Sequence, residues 1–451
     1  MDNRRVRAKT NHPPSLRLGL RSSSPRPTEL PSKEVDMRSF DIDLPHHIVL
    51  EVLSFLDARA IVRTRQLSRA FRRDAPTLID TLEFTRGQQF PSAKRMKLFP
   101  RIKEVKIDGD RKLVHAAAAG LRGCASCLCL DISLNQSLRP QEPLCKTAVK
   151  NLCALPLTEL ESRRIHIEFP ASLKIPVWQT LQKLLINDAY IADSSLINLL
   201  ASIPAGPLPL RHLDLSRNLF GDVRAVRRLA AALRSFPDLE RFEVTAGRIS
   251  CSGAKLIIGT LLDGACPKLK TLDLSLNFVD NGVLDYLSEG LRTEHQLQNL
   301  RKLGIGGRSS VEESVTSLET LGSALAAGGL PLLDFLHLQG DVGPAQVGPL
   351  LRKFRLATCP NLAVVKLERS NHSRLVKDAG VTEDAIHSMH ELITSPCFPH
   401  LKQLHVLGMN LSDGLEMAED DSSTVFYRAR FQSAFHRLAV AGAIRGVMIF
   451  V

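Results

Sequence analysis

The 451-residue sequence has little of what several classes of function require. It contains one Trp and three Tyr, so few side chains could act as stacking platforms for nucleic-acid bases. It lacks an apolar run of the roughly 18 residues that cross a membrane. It also lacks a GxSxG nucleophile motif and a GxxxxGK(S/T) phosphate loop. We therefore expect a soluble, non-catalytic protein that needs no cofactor and has neither membranes nor nucleic acid as its partners.

The cysteines do not indicate a disulfide framework or a metal site. Nine Cys is an odd number, and a chain of this length can bury a core without covalent links. We expect reduced thiols and a cytosolic or nuclear location. The stretch CASCLC, with Cys124, Cys127 and Cys129, is not followed by a second CxxC. The pair His387 and His390 likewise has no third ligand, so we predict no metal.

Residues 1–38 differ in composition from the remainder of the chain. They hold nine Lys or Arg against four acids, a net charge of +5, and many Pro and Ser residues. Such a segment buries too little apolar surface to offset its chain entropy, which predicts a disordered basic tail. A nuclear signal in RRVRAK, a mitochondrial presequence, or nucleic-acid binding through this tail are alternative interpretations.

An internal repeat dominates the sequence after residue 180. The pattern LxxLxLxxN is complete in LRHLDLSRN from Leu210 and in LKTLDLSLN from Leu269. Six further copies keep the three apolar positions, and the eight starts fall at 181, 210, 239, 269, 300, 333, 362 and 401. Weaker copies begin at Ile102, Ala125 and Ile444, with a degenerate copy at RRIHIEF. This spacing indicates a leucine-rich repeat.

The repeat predicts an α/β fold. Each unit places apolar residues inward from a short strand and is followed by a helical pattern, as in residues 222–236 with Asp222 as N-cap. Further helices are expected at 283–292 and 312–327. Each unit can bury its apolar face only against the next, which predicts a curved solenoid with parallel strands on its concave face and helices on its convex face. Repeats near 29 residues resemble the ribonuclease-inhibitor type.

A short helical segment precedes the repeats and has more apolar surface than one core requires. Between Ile48 and Leu56, seven of nine residues are apolar. The segment resembles an F-box, a helical module that docks on a Skp-type adaptor of cullin-RING ubiquitin ligases. Phe71 stands where that family usually has Trp, and Leu67 where it has Val. The matching positions, which the resemblance assigns to adaptor binding, are Leu44, Pro45, Ile48, Val52, Leu53, Leu56, Ile61, Leu67 and Phe71.

These features divide the chain into a basic tail (1–38), an F-box-like module (39–78) and a leucine-rich-repeat domain (79–451), with the clearest repeats at 181–410. The resemblance implies a non-catalytic substrate receptor of a Skp–cullin–F-box ubiquitin ligase, which would bind a protein substrate through its repeats. Alternatively, residues 39–78 form a helical cap on a scaffold, a ribonuclease-inhibitor-like protein or a regulator of a Ran-type GTPase.

The concave face is the expected substrate surface, because its outward residues are not needed for the core. An acidic row lies beside an aromatic and basic region, and Phe335 is a candidate anchor. The predicted substrate-binding residues are Asp214, Arg241, Glu243, Asp273, Phe335, His337, Lys366 and His405.

Overall fold

A computed structural model describes residues 80–97, 99–122, 124, 126–134, 143–170, 176–293, 296–307, 316–340, 360–369, 383–396, 398–407 and 422–450. The strands are β1 Thr81–Thr85, β2 Glu104–Gly109, β3 Cys129–Leu134, β4 Glu159–Arg163, β5 Lys183–Asn187, β6 His212–Asp214, β7 Arg241–Glu243, β8 Thr271–Asn277, β9 Lys302–Gly307, β10 Phe335–Gly340, β11 Val364–Arg369, β12 Gln403–Leu407 and β13 Met448–Phe450.

The helices alternate with these strands. They are α1 Ala93–Met96, α2 Arg111–Gly120, α3 Lys146–Cys153, α4 Asp193–Ala201, α5 Val223–Leu233, α6 Cys251–Leu262, α7 Asn281–Thr293, α8 Thr316–Ala326, α9 Glu383–Thr394 and α10 Ser422–Arg445, with a 3₁₀ turn at Pro176–Gln179.

The sheet is built in strict chain order. All thirteen strands are parallel, and each pairs with the strands that precede and follow it in sequence. Side chains alternate along each strand, so that Leu213 and Leu215 are buried while Asp214 between them is half-buried. The described part of the chain thus has the order that a repeat solenoid requires.

The helices cover one face of this sheet and bury their apolar sides. In α5, Val226, Leu229 and Leu233 are buried, and the Asp222 side chain accepts a hydrogen bond from the Arg224 N–H. The predicted N-cap is therefore confirmed. Consecutive helices from α4 to α8 pack on one another, and the buried residues from Leu82 to Val447 form one continuous core.

Strand pairing corrects the predicted register at both ends of the domain. Leu130, not Leu128, pairs with Val105, so the third unit begins at the buried Cys127 and not at Ala125. Strand β4 is Glu159–Arg163, so it ends at the first residue of RRIHIEF. At the C-terminus, Ile449 pairs with Leu404, and Ile444 is 79% exposed. Each correction has one cause: the hydrogen-bonded neighbour sets the register, not the nearest apolar triplet.

Strand β1 was not predicted from the sequence. Leu82 and Phe84 pair with Val105 and Ile107, at the positions that the repeat reserves for inward residues. The repeat fold therefore extends upstream of the first predicted copy. The tail and the F-box-like module lie outside the described residues. Within the described part of the chain, no helix has the length and apolar character needed to span a bilayer.

Candidate functional site

The predicted substrate-binding residues lie together on the sheet face opposite the helices, which we call the open face. Pairing aligns Asp214, Glu243 and Asp273 across β6, β7 and β8. The same row continues through Gly304 to His337, Lys366 and His405. Arg241 and Phe335 occupy the row two residues earlier on their strands. The residues predicted from the sequence therefore lie on one contiguous surface of the structure.

A groove of about 820 Å³ crosses the open face at the ends of strands β2 to β8. Its lining is rich in acids, with three arginines among them, although the whole chain carries a net charge of +12. We call it the acid-rich groove. Its charged lining residues are Asp108, Glu161, Asp188, Asp214, Glu243, Asp273, Arg163, Arg164 and Arg217.

Hydrogen bonds hold the central carboxylates of this groove in place. One Asp214 oxygen accepts from the Ser216 N–H at 2.8 Å, and the other accepts from the Asn187 amide at 3.2 Å. Asp273 accepts from the Ser275 N–H at 2.9 Å. These bonds orient two carboxylates within the groove, where a cationic side chain could contact them.

Glu243 lies between those two aspartates and is held by a neighbouring histidine. His212 Nε2 lies 3.3 Å from Glu243 Oε2, and this hydrogen bond lowers the pKa of the Glu243 carboxyl despite its burial. At neutral pH Glu243 is therefore ionised. Together with Asp214 and Asp273, it forms a row of negative charge on three adjacent strands.

The second part of the face is centred on His337. Its Nε2 lies 3.1 Å from Glu368 Oε2, and Lys366 Nζ lies 2.7 Å from the same oxygen. Burial lowers the pKa of His337, and the charge of Lys366 lowers it further. His337 is therefore neutral at pH 7 and serves as a hydrogen-bonding group, not as a positive charge.

Phe335 is more covered than its sequence position suggested. It is half-buried, and the Lys302 ammonium lies 5.9 Å from its ring centroid, a cation–π arrangement. The ring therefore offers less free surface than a fully exposed anchor would.

The upstream half of the groove was not identified from the sequence. Glu161 and Arg163 belong to the unit of β4, whose register was unassigned. Asp108 and Asp188 lie in the copies from Ile102 and Leu181, whose register was correct, but they were not among the predicted binding residues. Reading the fourth unit from Leu157, as LTELESRRI, would have placed Glu161 and Arg163 at outward positions. The signal was present, but Ser162 stands where a large apolar residue marks the strand in other units.

The cysteine and histidine pairs do not come together as ligands. Cys127 is buried, and this burial raises the pKa of its thiol to about 12. His387 Nε2 lies 3.5 Å from Glu391 on the same helix. Among the residues that the structure describes, no group of three His, Cys, Asp or Glu is placed to hold a metal ion.

Comparison with known families identifies the segment upstream of the sheet. Residues 42–73 match the F-box domain. All nine residues assigned to adaptor binding, from Leu44 to Phe71, fall within this match and outside the described structure. No curated protein matches the chain. The chain therefore carries an F-box domain ahead of a parallel, repeat-like sheet.

Proposed function

We propose that this chain is the substrate-receptor subunit of a Skp–cullin–F-box type ubiquitin ligase. The observation that carries the proposal is the F-box domain at residues 42–73, followed by a thirteen-stranded parallel sheet. F-box domains bind Skp-type adaptors, and F-box proteins are in general non-catalytic receptors. The seven cysteines that the structure describes are free thiols, which supports a cytosolic or nuclear location.

The two parts have separate tasks in this proposal. Leu44, Pro45, Ile48, Val52 and the other assigned residues up to Phe71 bind the adaptor, which links the chain to a cullin-RING ligase. The repeats, of the ribonuclease-inhibitor type, hold a protein substrate on their open, concave face. The contribution to ubiquitin transfer is proximity, because the complex raises the local concentration of substrate lysines near the conjugating enzyme.

Co-expression with a Skp-type adaptor tests the first task. We expect the full chain to co-purify with the adaptor, and the double variant Leu44→Ala/Pro45→Ala to lose at least about tenfold in affinity, as for a buried contact at an interface centre. Leu128→Ala is the matched control, because Leu128 is an exposed apolar residue of the repeat domain at 37%.

Equal adaptor binding by the double variant and the control would contradict the proposal, as would no co-purification of the unmodified chain. Either result would favour a scaffold or regulator in which residues 39–78 only cap the repeats.

A further inference from the structure

An exposed apolar row follows the strands β5 to β8. Tyr190 is 41% exposed, Leu219 39% and Phe278 43%. Each directly follows a buried residue at the last position of the nine-residue repeat pattern. These buried residues are Ala189, Asn218 and Asn277. Arg248 occupies the corresponding position after β7 and is also exposed. We call Tyr190, Leu219, Arg248 and Phe278 the apolar rim.

Backbone hydrogen bonds place the four segments of the rim side by side. The Leu219 N–H donates to Ile191 O at 3.2 Å, the Phe220 N–H to Gly247 O at 2.9 Å and the Phe278 N–H to Ile249 O at 2.9 Å. Parallel neighbours are about 4.8 Å apart, so four units extend over roughly 15 Å. The rim is therefore one continuous strip, not a set of scattered exposed residues.

The core of the domain is complete without the exposed side chains of the rim. The residues on either side, such as Ile191, Phe220 and Val279, are buried and complete the core. The rim side chains alternate with them and face outward. Tyr and Arg are enriched among the hot-spot residues of protein interfaces, and exposed apolar side chains that lie together mark interaction sites in soluble proteins.

The apolar rim borders the acid-rich groove. Asp188 and Arg217 line the groove and lie two residues before Tyr190 and Leu219 in the same segments. The oriented carboxylates of Asp214, Glu243 and Asp273 lie on the adjoining strands. An apolar strip thus lies alongside a predominantly negative trough, which repels phosphate groups and attracts cationic side chains.

We propose that the apolar rim and the acid-rich groove together bind a protein segment in which apolar or aromatic side chains alternate with or adjoin Lys and Arg. The apolar side chains contact Tyr190, Leu219 and Phe278, and the basic side chains contact Glu243 and its neighbours. The inference rests on the proposed function, since such a segment would be the recognition element of the substrate.

A peptide selection tests this inference without a known substrate. The probe is a displayed library of random 12-residue peptides, selected against the full chain bound to its adaptor. We expect the enriched peptides to contain aromatic or large aliphatic residues close to Lys or Arg. Phe278→Ser and Tyr190→Ser should each weaken the best synthetic peptide by about tenfold or more.

Two further variants separate the rim from the groove. Tyr286→Ser is the matched control, because Tyr286 is as exposed as Phe278 at 43% but lies on helix α7, and it should bind like the unmodified chain. Glu243→Gln keeps the size of the side chain and removes its charge. It should weaken binding and reduce the dependence of affinity on salt.

Several outcomes would overturn the inference. These are selection of acidic peptides, no enrichment, or equal loss in Tyr286→Ser and Phe278→Ser. If Phe278→Ser converts a dimer to a monomer, the rim is a contact between two copies of the chain. If peptides bind only after removal of residues 1–38, the groove binds the chain's own basic tail. Because adaptor binding is measured on the same samples, failure here is distinguishable from failure of the F-box assignment.

Discussion

Asn218 and Asn277, the two asparagines that complete the repeat pattern, each join two neighbouring units from a buried position. The Asn218 carbonyl oxygen accepts from the N–H groups of Ala189 and Ile191, both at 3.1 Å. Its amide donates to Ile186 O at 2.7 Å and to Leu215 O at 2.9 Å. Asn277 makes the equivalent bonds two repeats later. These side chains satisfy backbone groups that the short strands leave unpaired.

Asn218→Ala should therefore be strongly destabilising. It leaves two backbone donors and two acceptors buried without partners, and we expect a loss of about 3 kcal/mol in the free energy of unfolding. Urea unfolding followed by circular dichroism measures this. Asn187→Ala is the control, because Asn187 is only half-buried and its amide bonds Asp214 at the surface. A loss no larger than that of the control would show that the Asn218 bonds are replaced by water.

At the scale of single elements, strand β9 differs from its neighbours in having no outward side chain at Gly304 or Gly306. The side chains of β8 and β10 consequently meet across it. Ser275 Oγ lies 3.4 Å from His337 Nδ1, and Gln339 accepts from the Leu276 N–H at 2.9 Å. The glycines of β9 thus join three strands into one hydrogen-bonded surface.

Gly306→Ala should disrupt this part of the sheet. Gly306 has a φ of +128°, and an added Cβ would lie 1.6 Å from Gln339 O. We expect a loss of about 3 kcal/mol or more in the free energy of unfolding, since strain and a backbone clash combine. Gly221→Ala is the control, because nothing lies within 4 Å of its added Cβ, and it should change stability by less than about 1 kcal/mol. Equal stability of the two variants in thermal unfolding would show that β9 does not require glycine at position 306.

On the scale of the whole molecule, the position at which the repeat core begins decides how the F-box domain is attached. Leu82, Phe90, Met96 and Phe99 are buried in the same continuous core as the later repeats. The segment from β1 to α1 is therefore part of the repeat domain. A junction that separates the two parts must lie before residue 80.

Limited digestion with trypsin tests this boundary. Trypsin should first remove the basic tail, residues 1–38. If the F-box domain is a separate module, we then expect cleavage at Arg72 or Arg73, at the end of that module, and a stable fragment that contains the repeats. Cleavage at Lys94, Arg95 or Arg101 should be slower, because it requires Met96, Phe99 and Ile102 to leave the core. Mass spectrometry of the fragments over time shows which of these two groups of sites is cut first. Cuts between 94 and 101 that precede those at 72 and 73 would contradict the boundary, and resistance at 72 and 73 would favour a fused cap.

The sequence by itself determined the repeat and much of the candidate face. Leucines at fixed spacing report the inward positions of each strand, so residues between them, such as Asp214, Glu243 and Asp273, could be assigned outward before the structure was known. The Leu-Pro and apolar positions from Leu44 to Phe71 resemble the F-box pattern, and residues 42–73 match that domain. Both signals are local, because each is contained in a short stretch of sequence.

Only the tertiary structure decided in which register neighbouring units pair and which outward residues lie on one surface. Cys127 and Leu157 became the starts of their units through hydrogen bonds to strands 25 and 30 residues away. The acid-rich groove and the apolar rim combine residues from up to seven strands. Their proximity depends on the register in which neighbouring units pair. A local period shows which way a side chain faces, but it does not fix that register where the repeat is degenerate, as in β3 and β4.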